Sequence, residues 1–252
     1  MSGTHIHRQA QPFFLKGDSR VALLFIHGFT ASPSELYPVA ELLHQLCACS
    51  ISGLLLPGHG SRPEDLNLCR WQDWFAAVKT ALLNLQEEYA EVFVVGLSMG
   101  GLLALYSGLH VPGVCGVSSI NAPVFQRSTL TTALAPLIKI FRPYWPKQEQ
   151  GRQRQLEAEG RFAYDCFPLH AFQSMMELRN QVVRELGDLK VPVLIMQSQN
   201  DEVVKSESGR YLAAQLRHRE ARLVELENSE HVATMGPEKK KIAHELAEFI
   251  TR

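Results

Sequence analysis

Short runs rich in apolar strand formers recur along this chain at residues 21–26, 51–56, 92–95, 114–120, 193–197 and 223–226. Each is too short for a buried helix, and several close on glycine or a polar turn, which suits strands covered on both faces. Between them lie stretches with helical periodicity at residues 35–46, 72–89, 99–109, 207–216 and 237–250. Strand and helix in alternation require crossover connections, so the expected fold class is α/β, with a mostly parallel central sheet flanked by helices. The rhythm breaks over residues 122–188, which turn Pro-rich and aromatic around Tyr144-Trp145-Pro146, then strongly polar, then rich in Phe and Met. We read this stretch as a small helical cap inserted within a single domain spanning residues 1–252.

Composition narrows the function. The 252 residues carry 25 basic and 26 acidic side chains, a formal charge of −1. That near-zero balance removes the electrostatic reason to expect a nucleic acid partner, because counterion release needs clustered Lys and Arg. A small-molecule substrate is the better expectation. No apolar run approaches the ~20 residues that span a bilayer, and the amino terminus lacks the apolar core of a secretory signal. The expectation is a cytoplasmic protein without integral membrane association. Its five cysteines are an odd number, mostly set in apolar segments where thiols act as small hydrophobes. Cys47-Ala48-Cys49 beside His44 does not have the spacing of a zinc site, so neither a metal nor a cofactor is expected.

Gly96-Leu97-Ser98-Met99-Gly100 follows one strand and opens one helix. A nucleophile on a sharp strand-to-helix turn needs neighbours without side chains, and the two glycines provide that room. A serine hydroxyl is a poor nucleophile at neutral pH and requires a base, which in turn requires an orienting carboxylate. Asp201 follows the strand at 193–197 and His231 follows the strand at 223–226, both at strand ends, where open α/β sheets gather their sites. Rivals are weaker: His27 and His59 precede the serine and adjoin glycines as turn histidines. Asp188 lies before its strand, and Glu202 points away from Asp201 in a tight turn. The oxyanion of an acyl-transfer intermediate needs N–H donors, expected from Met99, the residue after the nucleophile, and from Phe29 in the loop His27-Gly28-Phe29-Thr30.

With these elements in this order the chain resembles the α/β-hydrolase superfamily from about residue 13 to residue 249. More narrowly, it is similar to the bacterial carboxylesterase and monoacylglycerol lipase family. The stretches that carry the likeness are Pro12-Phe13-Phe14, Leu24-Phe25-Ile26-His27-Gly28-Phe29-Thr30, Leu56-Pro57-Gly58-His59-Gly60 and Asp73-Trp74. Val95 to Gly101, Asn121-Ala122-Pro123, residues 197–203 and Ser229-Glu230-His231-Val232 complete it. The resemblance implies an α/β-hydrolase fold with its first strands reduced, a small cap and no cofactor. It carries the catalytic triad onto Ser98, Asp201 and His231, and the oxyanion hole onto Phe29 and Met99. Ser198 stands where many members have glycine three residues before the acid, and Glu230 where glycine often precedes the histidine. The expected activity is hydrolysis of short- to medium-chain carboxylic esters, monoacylglycerols included. Phe29, Trp145 and Met175, with Phe162, Phe167 and Met176 beside them, are the expected apolar contacts. Rival activities on the same machinery are thioesterase, acyltransferase, C–C hydrolase or perhydrolase; a rival of another class is a slow-turnover ligand receptor.

Overall fold

The structure is a computed structural model that describes residues 5–127, 143–147, 151–216 and 221–251. Its strands are β1 (Phe13–Leu15), β2 (Val21–Ile26), β3 (Ser50–Leu54), β4 (Glu91–Leu97), β5 (Val114–Ile120), β6 (Tyr144–Pro146), β7 (Cys166–Pro168), β8 (Val193–Ser198) and β9 (Ala221–Leu226). Seven of them form one sheet in the order β1-β3-β2-β4-β5-β8-β9. Every pairing in it is parallel except that of β1 with β3.

The described helices are α1 (Tyr37–Cys47), α2 (Pro63–Leu68), α3 (Trp71–Glu88), α4 (Met99–His110), α5 (Gly151–Ala158), α6 (Leu169–Glu185), α7 (Glu207–Gln215) and α8 (Lys239–Ile250). The alternation along β2 explains the layering. Ala22, Leu24 and Ile26 enter a core shared with α3, α4, α6 and α7, whereas Leu23 and Phe25 enter a second core with α1 and α8. Both sets are fully buried, so the strand has no polar face, as a parallel sheet covered on both sides demands. Each such Leu or Phe contributes about 1.5–3 kcal/mol through burial, which fixes the strand's register against its neighbours. No described helix is long and apolar enough to cross a membrane.

Two features depart from the sequence expectation. β1 was not expected as a strand: it has three residues, leaves Phe14 half exposed, and joins the sheet antiparallel at its edge. Within residues 122–188, β6 and β7 pair as a small antiparallel ribbon, Trp145 opposite Phe167, ahead of the helix α6. Residues 128–142 and 148–150, part of the expected cap, lie outside the described residues.

Candidate active site

Ser98 stands between β4 and α4 with φ +57° and ψ −117°, a conformation that costs a side-chain-bearing residue about 1–3 kcal/mol. The glycines on either side make the turn possible. A Cβ on Gly96 would lie 1.9 Å from the carbonyl oxygen of Gly100, and one on Gly100 would lie 2.0 Å from that of Ile26. The N–H of Ser98 donates to the carbonyl of Ile120 at 2.8 Å, fastening the turn to the end of β5.

The three side chains expected to converge do so. Ser98 Oγ lies 3.0 Å from His231 Nε2, and His231 Nδ1 lies 2.8 Å from Asp201 Oδ2. Asp201 is fully buried, and its second oxygen, Oδ1, accepts the N–H groups of Val203 and Val204 at 2.8 Å each. That turn fixes the carboxylate before it meets the imidazole. Burial opposes charge on His231, but the carboxylate of Asp201 beside it, then Glu202 and Glu35, outweigh burial and raise its pKa above the ordinary 6.5.

Asn121 joins the pieces, a role the sequence reading did not assign. It is fully buried with φ +49° at the end of β5. Its Oδ1 accepts Ser198 N–H at 2.8 Å, while its Nδ2 donates to Ser198 Oγ at 2.9 Å and to the His231 carbonyl at 2.8 Å. One amide thus ties the strand that carries the acid to the loop that carries the histidine. Ser198, the departure from glycine, is half of this clasp.

The loop after β2 shows why Phe29 is the donor of interest. Gly28 N–H is taken by the buried carboxylate of Glu35 at 2.7 Å, and Thr30 N–H by His59 Nε2 at 3.3 Å. Between them, the N–H of Phe29 has no such acceptor among the described residues. Met99 opens α4, so its N–H has no acceptor within the helix either. The turn histidines behave as expected. Leu56 N–H donates to His27 Nε2 at 3.2 Å, so the proton sits on Nδ1, which donates to the Gly28 carbonyl at 2.8 Å. Burial lowers the pKa of His27 to about 4 and that of His59 well below its ordinary value, so both rings are neutral spacers.

Glu35 and Lys147 had no sequence signal. Glu35 is 1% exposed and its Oε2 receives Arg161 Nε and Nη2, both at 2.9 Å. Lys147 Nζ donates to Thr30 Oγ1 and to the Tyr164 carbonyl at 2.6 Å each. Residues separated by more than a hundred positions meet here, so neither periodicity nor spacing could reveal them. A cleft of about 460 Å³ opens above Ser98 and His231. Phe29, Trp145, Phe167 and Met175 line it, as do Lys147 and Arg161. Phe162 instead stacks on His7 with ring centroids 4.6 Å apart, and Met176 packs on the core beside Gln126; neither lines the cleft. Among the described residues no cluster of His, Cys, Asp and Glu could hold a metal.

A model described as an alpha/beta hydrolase family matches residues 23–240. The chain belongs to the alpha/beta hydrolase family. This α/β hydrolase is similar to the thermostable monoacylglycerol lipase of Bacillus sp. (strain H-257), 29% identical over 245 residues that cover 96% of this chain and 95% of that protein. It is also similar to a carboxylesterase of Bacillus subtilis (strain 168), 24% identical over 243 residues, 96% of each chain. A solved structure described with the metagenome-derived lipolytic enzymes LipS and LipT matches with a TM-score of 0.85 and 30% identity. That match covers 98% of this hydrolase and 99% of the solved chain.

Proposed function

We propose that this α/β hydrolase is a serine esterase that cleaves carboxylic esters of short- to medium-chain acyl groups, monoacylglycerols among them, through an acyl-enzyme. The observation that carries the reading is the unbroken contact from Ser98 Oγ to His231 to buried Asp201. His231 Nε2 takes the serine proton as Oγ attacks the ester carbonyl. The N–H groups of Phe29 and Met99 receive the oxyanion, each worth about 2.7–4 kcal/mol in the transition state. His231 then passes its proton to the leaving alcohol, and a water deprotonated by the same ring releases the acid. Asp201 holds the tautomer that leaves Nε2 free to accept.

In this reading residues 122–188 act as a cap on a single domain, and Phe29, Trp145 and Met175 are the apolar contacts for substrate. The similar lipase and carboxylesterase support ester bonds over thioesters or C–C bonds. Five free thiols suit a cytoplasmic setting. Initial rates on p-nitrophenyl esters and monoacylglycerols of increasing acyl length, alongside matched thioesters, test the proposal. A rate maximum at short to medium acyl esters supports it; faster thioester than ester turnover, or no turnover of either, overturns it.

A further inference from the structure

Two cations, Lys147 and Arg161, line the cleft, together with the carboxylate of Glu202. Glu35, the carboxylate that neutralises Arg161, is fully committed: Oε2 holds the guanidinium and Oε1 holds Gly28 N–H. Lys147 is left with two neutral acceptors, Thr30 Oγ1 and the Tyr164 carbonyl, and forms no ion pair among the described residues. An ammonium has three N–H donors; besides these two acceptors Nζ meets only the face of the Phe167 ring, 5.1 Å from its centroid, so among the described residues one N–H has no hydrogen-bond acceptor and is open to a ligand. A cation in such a place is costly without a counterion. Burial, and then the neighbouring Arg161, bring Lys147 down to a pKa of about 7. The position is also specific: Thr30 Oγ1, which receives Lys147, donates in turn to the carbonyl of Phe29 at 2.5 Å. The ammonium therefore borders the residue that offers its N–H to the oxyanion.

We propose that Lys147 receives a carboxylate of the substrate, so that the preferred ester carries a free acid group a short spacer away from its scissile carbonyl. This inference rests on the ester-hydrolase reading and adds the substrate class. The acid can sit on the acyl or on the alcohol portion, and paired substrates separate the two. On the acyl side, monoethyl succinate is compared with ethyl levulinate, its neutral isostere. On the alcohol side, butyryloxyacetic acid is compared with acetol butyrate. The expected ratio of kcat/KM, anionic over neutral, is about ten- to a hundredfold at pH 6 for one of the pairs. Taking a ratio cancels the titration of His231, which both esters share.

In Lys147→Met that ratio collapses towards unity, and Lys147→Arg retains much of it. In the wild type the ratio falls as pH rises through about 7. The groups around Lys147 are Arg161, Glu35, Cys166, Asp165 and His59, with Glu202 also lining the cleft. Burial pushes the Cys166 thiol up to about 11 and keeps His59 neutral, so neither produces that fall. Should Lys147→Met fail to fold, the wild-type ratio and its pH course decide alone. Equal rates within both pairs, or a preference that survives Lys147→Met, would overturn the inference while leaving the esterase intact. No turnover of any of the four esters would instead overturn the ester-hydrolase reading beneath it.

Discussion

Glu202 Oε2 accepts the backbone N–H of His231 at 3.1 Å, while Asp201, the residue just before it, holds the imidazole Nδ1 at 2.8 Å. Two consecutive carboxylates thus grip one histidine, one by its ring and one by its backbone. Both raise its pKa above 6.5, and in the proposed mechanism the general base is the neutral ring. Activity is therefore lost as pH falls through a value higher than that of a free histidine. Glu202→Gln keeps an acceptor and removes the charge, so the acidic limb of kcat/KM moves to lower pH. Glu202 is exposed, so the movement is small and shrinks at 1 M salt, where the screening length is ~3 Å. A pH–rate profile in which the limb stays put or moves up contradicts this assignment. Asp201→Asn, by contrast, costs about 10⁴ in kcat because it inverts the tautomer.

Glu35 supports the loop of Gly28 and Phe29, the proposed oxyanion loop, from below the surface. Truncating it to Ala strands Arg161 without its counterion and Gly28 N–H without its acceptor, a loss of about 3–5 kcal/mol in stability. Glu35→Ala should lower the melting temperature sharply and reduce kcat more than it raises KM, because the donor it positions acts in the transition state. Glu35→Gln combined with Arg161→Met removes both charges and retains an acceptor for Gly28. Thermal unfolding of the pair of variants checks this: the double variant melts above Glu35→Ala.

The neutral histidines make the fold sensitive to acid. His27 titrates near 4 when folded and near 6.5 when unfolded, so the unfolded chain binds more protons between those values. Its contribution is fully present above pH 6.5 and is lost as pH falls towards 4, about 3 kcal/mol in all; His59 adds to it in the same direction. His231, with its raised pKa, acts in a different window: its contribution is fully present below pH 6.5 and is lost as pH rises above that value, so it leaves this slope unchanged. Urea denaturation at a series of pH values should show stability declining over that window, with a shallower decline in His27→Gln.

The backbone at Ser98, the proposed nucleophile, holds strain. Glycine tolerates φ +57° far better than alanine, and both substitutions delete the hydroxyl. Ser98→Gly should therefore melt about 2–4 °C above Ser98→Ala for about 1 kcal/mol of relief in a domain of this size. Both are expected to be inactive. Calorimetry giving equal melting temperatures would show that the turn is unstrained.

Most of the sheet and the three converging side chains were legible in the sequence because each rests on a local signal. Both-face burial writes itself as continuous apolar runs, and the tight turn at Ser98 writes itself as Gly96 and Gly100. β1 was missed because a three-residue edge strand with one exposed face carries no run to read. Glu35 in its short turn looks like any surface acid; only the fold brings Arg161, 126 residues later, onto it. Asn121 stands in a recognisable stretch, Asn121-Ala122-Pro123, but its clasp on Ser198 and His231 is a tertiary fact. The aromatic content of residues 122–188 pointed to an apolar pocket. Which rings face it depended on the β6–β7 ribbon, which places Trp145 and Phe167 opposite each other and leaves Phe162 to stack on His7.

The most direct test of the nucleophile is intact-protein and peptide mass spectrometry after brief exposure to a fluorophosphonate or a slowly released ester. The account predicts one covalent adduct, located on Ser98, absent in Ser98→Ala and strongly slowed in His231→Ala, with esterase turnover lost in parallel. Labelling at another residue, or Ser98→Ala turning over esters at the wild-type rate, would contradict it.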